Sequence, residues 1–427
     1  MRRIWRQSRS FDPAVRLLFL NQLTINLGFY MLMPYLAAYL ADGIGMAAWA
    51  VGLVLGVRNL SQQGMFLVGG ALADRFGFKP LIVAGCALRT VGFGALAFAQ
   101  SLPLLIAASA ATGLAGALFN PAVRAYVAAE AGERRVEAFA LFNTYYQAGI
   151  LFGPLVGVAL TGVSFRLTCT VAALLFALLT VVQLRHLPGR AKTAGQEAAE
   201  SEASEASEAL PSKASVAERG GGRGQLRAVL ANRSFWLFSL AMTGSYVLSF
   251  QIYLALPLAA DGTTATTALF VVSALVTLGF QLRITDWCRR WLTRTRCLVL
   301  GLALMGTAFL LPAALPGPAG PLLCAAVLAV ANAVLYPYEM DTVVALARNR
   351  WVATHYGLYN TVCGIGITLG NLGTGVLLDA TGVGSPLPWL VMCAVGAGCA
   401  GAVALLSRGG HLAAPPEPKG AAVAATG

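Results

Sequence analysis

The chain has 427 residues, 57% of them hydrophobic and 11% charged, with a mean hydropathy of +0.70 and a formal charge of +12. A soluble domain carries about 25% charged residues, so this is the composition of an all-α, polytopic membrane protein. No room is left for a soluble catalytic domain. The sequence also lacks HExxH, a Walker lysine motif and a Ser–His–Asp set, which excludes the usual ATPase and hydrolase chemistry.

A membrane span needs about 20 mostly apolar residues. Such stretches fall at 17–40, 48–72, 80–99, 102–127, 138–161, 165–184, 235–258, 264–282, 297–315, 320–346, 354–378 and 387–406, which predicts twelve transmembrane helices. The basic start (Arg2, Arg3, Arg6, Arg9) precedes an apolar stretch too long for a signal-peptide core, so the first span is expected to be retained. Asn26, Tyr30 and Met33 repeat along one side of it and are candidates to line a cavity for amphipathic ligands.

The second and third spans carry Arg58 and Arg89, both too deep to snorkel easily. They are either polar clamps between helices or cavity charges for anionic groups. Between these spans lies Gly70-Ala-Leu-Ala-Asp74-Arg75-Phe-Gly77-Phe-Lys79. Gly70 permits close helix approach and Gly77 relieves a tight turn. Asp74 can cap the following helix or pair with a basic group across the half, while Arg75 and Lys79 anchor the surface. Together these five residues are expected to form a conformational latch. Arg124, nearer the end of the fourth span, reads as an anchor.

The fifth span offers Asn143 and Tyr146 as polar cavity candidates, then Gly149-Ile-Leu-Phe-Gly153-Pro154-Leu-Val-Gly157. Small residues four apart allow close packing, and Pro154 removes a ladder hydrogen bond. The expectation is a bent helix at a moving interface between halves.

Residues 188–232 are polar, repetitive and first acidic, then Gly-rich and basic. They cannot bury enough apolar surface to fold and read as a flexible cytoplasmic linker. The linker divides the chain into six-span bundles at 1–187 and 233–408, with a disordered tail at 409–427. In the seventh span Tyr246, Gln251 and Tyr253 are further cavity candidates, as is Asn360 in the eleventh. Glu339 and Asp341, in the tenth, are the two acids within the spans apart from edge residues. Either could carry a coupled proton, Glu339 the preferred one; ion pairs with Arg348 or the loop arginines are the plainer reading.

Phe142-Asn143-Thr144 aligns with Tyr359-Asn360-Thr361 at an offset of 217 residues, and Gly149 and Gly153 align with Gly366 and Gly370. The halves therefore read as repeats, an arrangement that places a substrate site at their interface near the membrane midplane. Basic residues gather at alternate connections, which puts both termini in the cytoplasm and gives an even number of spans. The charge is thus a topology signal and gives no support to a nucleic-acid partner. The eight cysteines are scattered without a CxxC pair and read as packing residues, with no metal or cofactor site implied.

These motifs resemble the major facilitator superfamily over essentially the whole chain. Gly70–Lys79 is similar to its loop signature between helices two and three, and Gly149–Gly157 to the helix-five signature of drug–proton antiporters. The run Leu55-Gly-Val-Arg58-Asn-Leu-Ser-Gln62-Gln63-Gly64, with Arg89 in Leu88-Arg89-Thr90-Val-Gly92-Phe93, resembles the bacterial MdtH-like multidrug branch. The resemblance implies two six-helix bundles, a monomer in the bacterial inner membrane, and proton-coupled export of small amphipathic compounds. The sequence departs from the family at Ser109, where many members carry an arginine linked to proton coupling, and in the first span, which lacks an acid. A narrow metabolite transporter or uptake symporter, and a non-transporting sensor, are the competing expectations.

Overall fold

The computed structural model describes residues 2–46, 48–189, 222–260, 263–315, 317–382 and 384–412, and no strand occurs among them. The long helices are α1 (Pro13–Tyr30), α2 (Ala48–Phe76), α3 (Phe78–Phe98), α4 (Leu102–Ala131), α5 (Arg135–Thr161), α6 (Phe165–His186), α7 (Arg233–Phe250), α8 (Thr263–Trp291), α9 (Arg294–Ala308), α10 (Ala319–Leu346), α11 (Val352–Thr381) and α12 (Leu387–Arg408). Nine segments among the described residues are long and apolar enough to cross a membrane, one of them, Leu102–Thr161, comprising both α4 and α5. The helices α1 and α2, interrupted by amides and by Arg58, are not among those nine.

Three of the breaks in the apolar segments fall four residues before a proline. A proline donates no hydrogen bond to the carbonyl four residues earlier. Accordingly α1 stops at Tyr30, four residues before Pro34, and a short segment, Met33–Ala38, continues it. After α7 the turn Gln251–Tyr253 ends four residues before Pro257, and α9 stops four residues before Pro312. Pro121, Pro154 and Pro337 instead sit inside continuous helices. At Pro337 the freed Ala333 carbonyl accepts a 2.9 Å hydrogen bond from Gln281 Nε2 of α8.

Successive helices alternate in direction. One end of the bundle collects the start of α1, the α2–α3 turn at Gly77 (φ +90°), the α4–α5 turn, the α10–α11 loop and the end of α12. Arg134 ties the α4–α5 turn to Ser10, and Asn232 ties the start of α7 to the Leu346 carbonyl. Arg75, Lys79, Arg134, Arg135, Arg289 and Arg290 lie at this end, the basic face; the opposite end is the far face.

Helices α1–α6 pack together, as do α7–α12, and the two groups meet along α2–α11, α4–α11, α5–α8 and α5–α10. The repeat is visible in contacts. Gly149 and Gly153 of α5 lie against Asn26 and Tyr30 of α1, while Gly366 and Gly370 of α11 lie against Thr243 and Val247 of α7. Each residue of the second set stands 217 positions after its counterpart. This corrects one expectation. The Gly149–Gly157 stripe packs inside the first group, and α5 meets the other group through a different face, because a glycine stripe suits the closest backbone approach, here to α1.

Most of the expected linker and tail, 190–221 and 413–427, lies outside the described residues. Residues Gly222–Leu230 of the linker form a helix that packs on α2 and α11 with Val229 buried.

Candidate functional site

A cavity of about 220 Å³ lies between the two groups, with α1, α4, α5, α7, α8 and α10 among its walls. Its two charged lining residues come from opposite sides, Arg124 from α4 and Glu339 from α10. Glu339 is buried, and its Oε1 accepts hydrogen bonds from the hydroxyls of Tyr246 (2.8 Å) and Tyr359 (2.6 Å). Arg124 Nη1 donates to Asn360 Oδ1 at 2.8 Å, and Asn360 in turn donates to the Tyr356 carbonyl. Each charged residue stands seven positions from the basic end of its helix, about 10 Å deep. Arg124 is therefore a cavity residue, and the reading of it as a surface anchor is overturned. A fixed cation, a carboxyl group and tyrosine-rich walls together suit a ligand with both polar and apolar surface.

Toward the basic face the cavity is sealed in layers. Phe139 packs edge-on against Tyr336 and Tyr356, at centroid distances of 6.4 and 6.3 Å. Beside this layer Asn143 Nδ2 donates to Gln281 Oε1 at 2.9 Å, joining α5 to α8. Deeper still, Asp341 of α10 is ion-paired with Arg135 of α5 (3.1 Å) and Arg294 of α9 (2.8 Å). Asp341 thus faces a seam between the groups and not the cavity.

The second seam is closed by Asp74. Helix α11 begins after Trp351, which has left-handed backbone (φ 52°) and no side-chain capping bond. Asp74 of α2 supplies that cap from the other group, accepting from the amides of Ala353 (3.1 Å) and Thr354 (2.6 Å) and from the Thr354 hydroxyl (2.6 Å). These are the second and third helical amides, the donors that an N-cap ordinarily takes. The approach depends on missing side chains: a Cβ on Gly70 would overlap the Ala353 carbonyl, and one on Gly357 the Phe66 carbonyl. The helix that Asp74 caps is thus α11 of the other group. On the far side the groups meet where the Tyr30 and Tyr253 hydroxyls stand 3.5 Å apart.

The remaining sequence candidates divide clearly. Asn143, Tyr146, Tyr246 and Tyr253 line the cavity, and Asn360 reaches it through Arg124. Arg58 and Arg89 do not. Arg58 donates to Asn59 and Gln62 and lies over the Phe29 ring, while buried Arg89 lies over Phe176. Both stay inside the first helix group, because their helices turn these positions toward α1, α4 and α6. Asn26 donates to the Gln22 carbonyl and packs on Gly149, and Gln251 donates to Asn371 and the Val247 carbonyl. Neither they nor Met33 line the cavity. Arg75 is exposed over Phe76, and Lys79 donates to the Leu184 carbonyl, binding α3 to the end of α6.

The family model described as Major Facilitator Superfamily matches residues 18–371. The chain is 52% identical over 388 residues to an uncharacterized MFS-type transporter of Mycobacterium tuberculosis (strain ATCC 25618 / H37Rv), covering 87% of each chain. It is 31% identical over 387 residues to multidrug resistance protein MdtH of Klebsiella pneumoniae (strain 342), covering 89% of this chain and 90% of the relative. Among solved structures, the E. coli fucose:proton symporter FucP superposes with a TM-score of 0.69 at 14% identity, covering 92% of this chain and 98% of that one. The human organic anion transporter MFSD10 gives 0.65 at 16% identity, covering 92% and 100%. The structural likenesses speak for the fold alone. The family model and the sequence relatives together show that this chain is a transporter, not an enzyme, and belongs to the major facilitator superfamily.

Proposed function

We propose that this transporter exports small amphipathic compounds in exchange for protons, by rocking two six-helix bundles, residues 1–187 and 233–408, about the central cavity. The excess of Arg and Lys on the basic face supports placing that face, and both termini, in the cytoplasm of a bacterial inner membrane. The long helices are then twelve crossings, and the layers below Phe139 close the cytoplasmic side. One chain contains the whole cavity, so the working unit is a monomer whose partners are its substrate, protons and the bilayer.

The observation that carries this reading is the Glu339 carboxylate, set in the cavity on two tyrosine hydroxyls from α7 and α11 and sharing that space with Arg124. A carboxyl group at membrane depth marks a proton or ion path by default. A proton arriving from outside neutralises Glu339, changes the balance with Arg124 and favours substrate release outward. Rocking then exposes the acid to the cytoplasm, where the proton leaves. The similarity to MdtH, a protein named for multidrug resistance, supports the export direction. Arg124 favours a second reading, a narrower carrier of anionic metabolites, which the same experiment separates.

Purified protein in liposomes with an internal pH dye, given a pH gradient and a panel of lipophilic cations, neutral drugs and organic anions, tests the proposal. Substrate-dependent proton movement lost in Glu339→Gln is the expected result. Movement retained in that variant removes Glu339 as the coupling acid. Flux without proton movement points to another coupling ion, and flux confined to anions and lost in Arg124→Gln establishes the narrower carrier. Ligand binding without any flux would identify a sensor.

A further inference from the structure

The alternating-access reading leaves the basic N-terminal segment without a task. Arg2–Ser8 is helical and lies at the basic face, held to the first turn of α5 by a 2.6 Å hydrogen bond from Gln7 Nε2 to Glu137 Oε1. Arg134 of the adjoining turn donates to both the carbonyl and the hydroxyl of Ser10. Beside this segment runs a surface groove of about 500 Å³ between α1, α5 and α6, separate from the central cavity.

The groove has two chemically distinct ends. Arg9, Arg16 and His186 lie at the basic face, and no carboxylate is among the lining residues that the structure describes. Leu17 and Leu20 stand four and seven positions into α1, about 6 and 10 Å below that face, and Val182 lies one turn before the end of α6. Trp5 forms the rim, half exposed, with the Arg9 guanidinium 4.8 Å from its ring. Leu20 is likewise 45% exposed, as a residue facing acyl chains is.

We propose that this groove is a binding site for one anionic phospholipid of the leaflet on the basic face. Its phosphate lies among Arg9, Arg16 and His186, and one acyl chain follows Leu17, Leu20 and Val182. Basic pockets between membrane helices select anionic headgroups by charge. The absence of a lining acid disfavours the ammonium of a zwitterionic lipid, and the apolar floor gives a water-soluble phosphate nothing to bury. Trp5 suits the rim, since indole rings settle at the headgroup level. A bound lipid also steadies the N-terminal helix on the turn that supplies Arg135 to the Asp341 ion pair.

The test is native mass spectrometry of the delipidated full chain titrated with phosphatidylglycerol, with phosphatidylcholine of the same acyl chains, and with the soluble headgroup glycerophosphoglycerol. The parent is expected to retain one phosphatidylglycerol, and an Arg9→Gln/Arg16→Gln variant to bind it about thirtyfold more weakly. Arg9→Lys/Arg16→Lys keeps the charge and should restore retention, which separates loss of the site from loss of the fold. Equal retention of the two lipids, equal retention by parent and Gln variant, or displacement of the lipid by the headgroup alone would each overturn the proposal.

Discussion

The carboxylate of Asp74 accepts both the amide and the hydroxyl of Thr354, each at 2.6 Å, across the boundary between the two helix groups. The helix that Asp74 caps begins 278 positions beyond it. Helix α11 enters from a left-handed Trp351 that offers no cap of its own, so its first-turn amides are satisfied by a side chain that rocking would withdraw. Water can replace that cap, and the attachment is correspondingly modest.

Asp74→Ala is therefore expected to favour opening at the basic face without unfolding the protein. Loss of a helix cap costs about 1 kcal/mol, roughly a fivefold change in the open-to-closed ratio. Spin labels at Phe76 and Arg348, both exposed near this seam, would report it as a larger long-distance population. An unchanged distribution would show that closure rests on the other contacts.

Gly70→Ala should act on the same seam by a different cause. The added methyl overlaps the Ala353 carbonyl, while nothing lies within 4 Å of a Cβ placed on Gly64 of the same helix. Overpacking by this much costs about 1–3 kcal/mol, so transport by Gly70→Ala should fall about tenfold, with Gly64→Ala near the parent. Comparable rates in both variants would rule out the close approach as a requirement.

Gln281 and Pro337 should be energetically coupled. Gln281→Leu strands the Ala333 carbonyl and the Asn143 amide, at about 1–3 kcal/mol for each buried group left unpaired. Pro337→Ala restores a backbone N–H for Ala333, so Gln281→Leu should cost about 1 kcal/mol less in that background. Thermal midpoints of the four proteins in detergent measure the cycle. Additive losses would mean that Gln281 does not compensate for the proline.

Asp341→Asn should destabilise the protein more than Arg294→Gln does. Asp341 is the shared partner of two arginines and is itself buried, whereas each arginine is partly exposed. Removing the common anion leaves Arg135 and Arg294 facing one another, for which about 3 kcal/mol is the expected cost. The detergent thermal midpoint checks it, and the reverse order would contradict the central place given to Asp341.

Much of the architecture is legible in the residues. The apolar stretches give the helices, although the expected spans 17–40, 235–258 and 297–315 run through the breaks that precede Pro34, Pro257 and Pro312, and the 217-residue register reappears in matched glycine contacts. The cavity is less so, because spacing along one helix does not say which neighbour each face meets. Glu339 and Asp341 are two positions apart, about 200° around a helix, so one enters the cavity and the other the seam. Arg124 escapes a boundary criterion because α4 runs on to Ala131 and carries it below the surface. Arg58 and Arg89 are conspicuous in sequence for the same depth, yet their partners are Gln62 and aromatic rings of their own half.

The repeat is unequal where it closes. The position 217 residues after Asp74 is Trp291, and α5, the counterpart of α11, starts from Arg134 without a side-chain capping bond. One seam is thus fastened by a carboxylate on backbone amides and the other by an ion pair between partly exposed arginines and a buried aspartate. Ionic strength weighs more on the second, whose arginines are partly exposed, than on the first. Two unlike fastenings need not release together, and the basic face can come apart in sequence, like a door with a bolt and a chain.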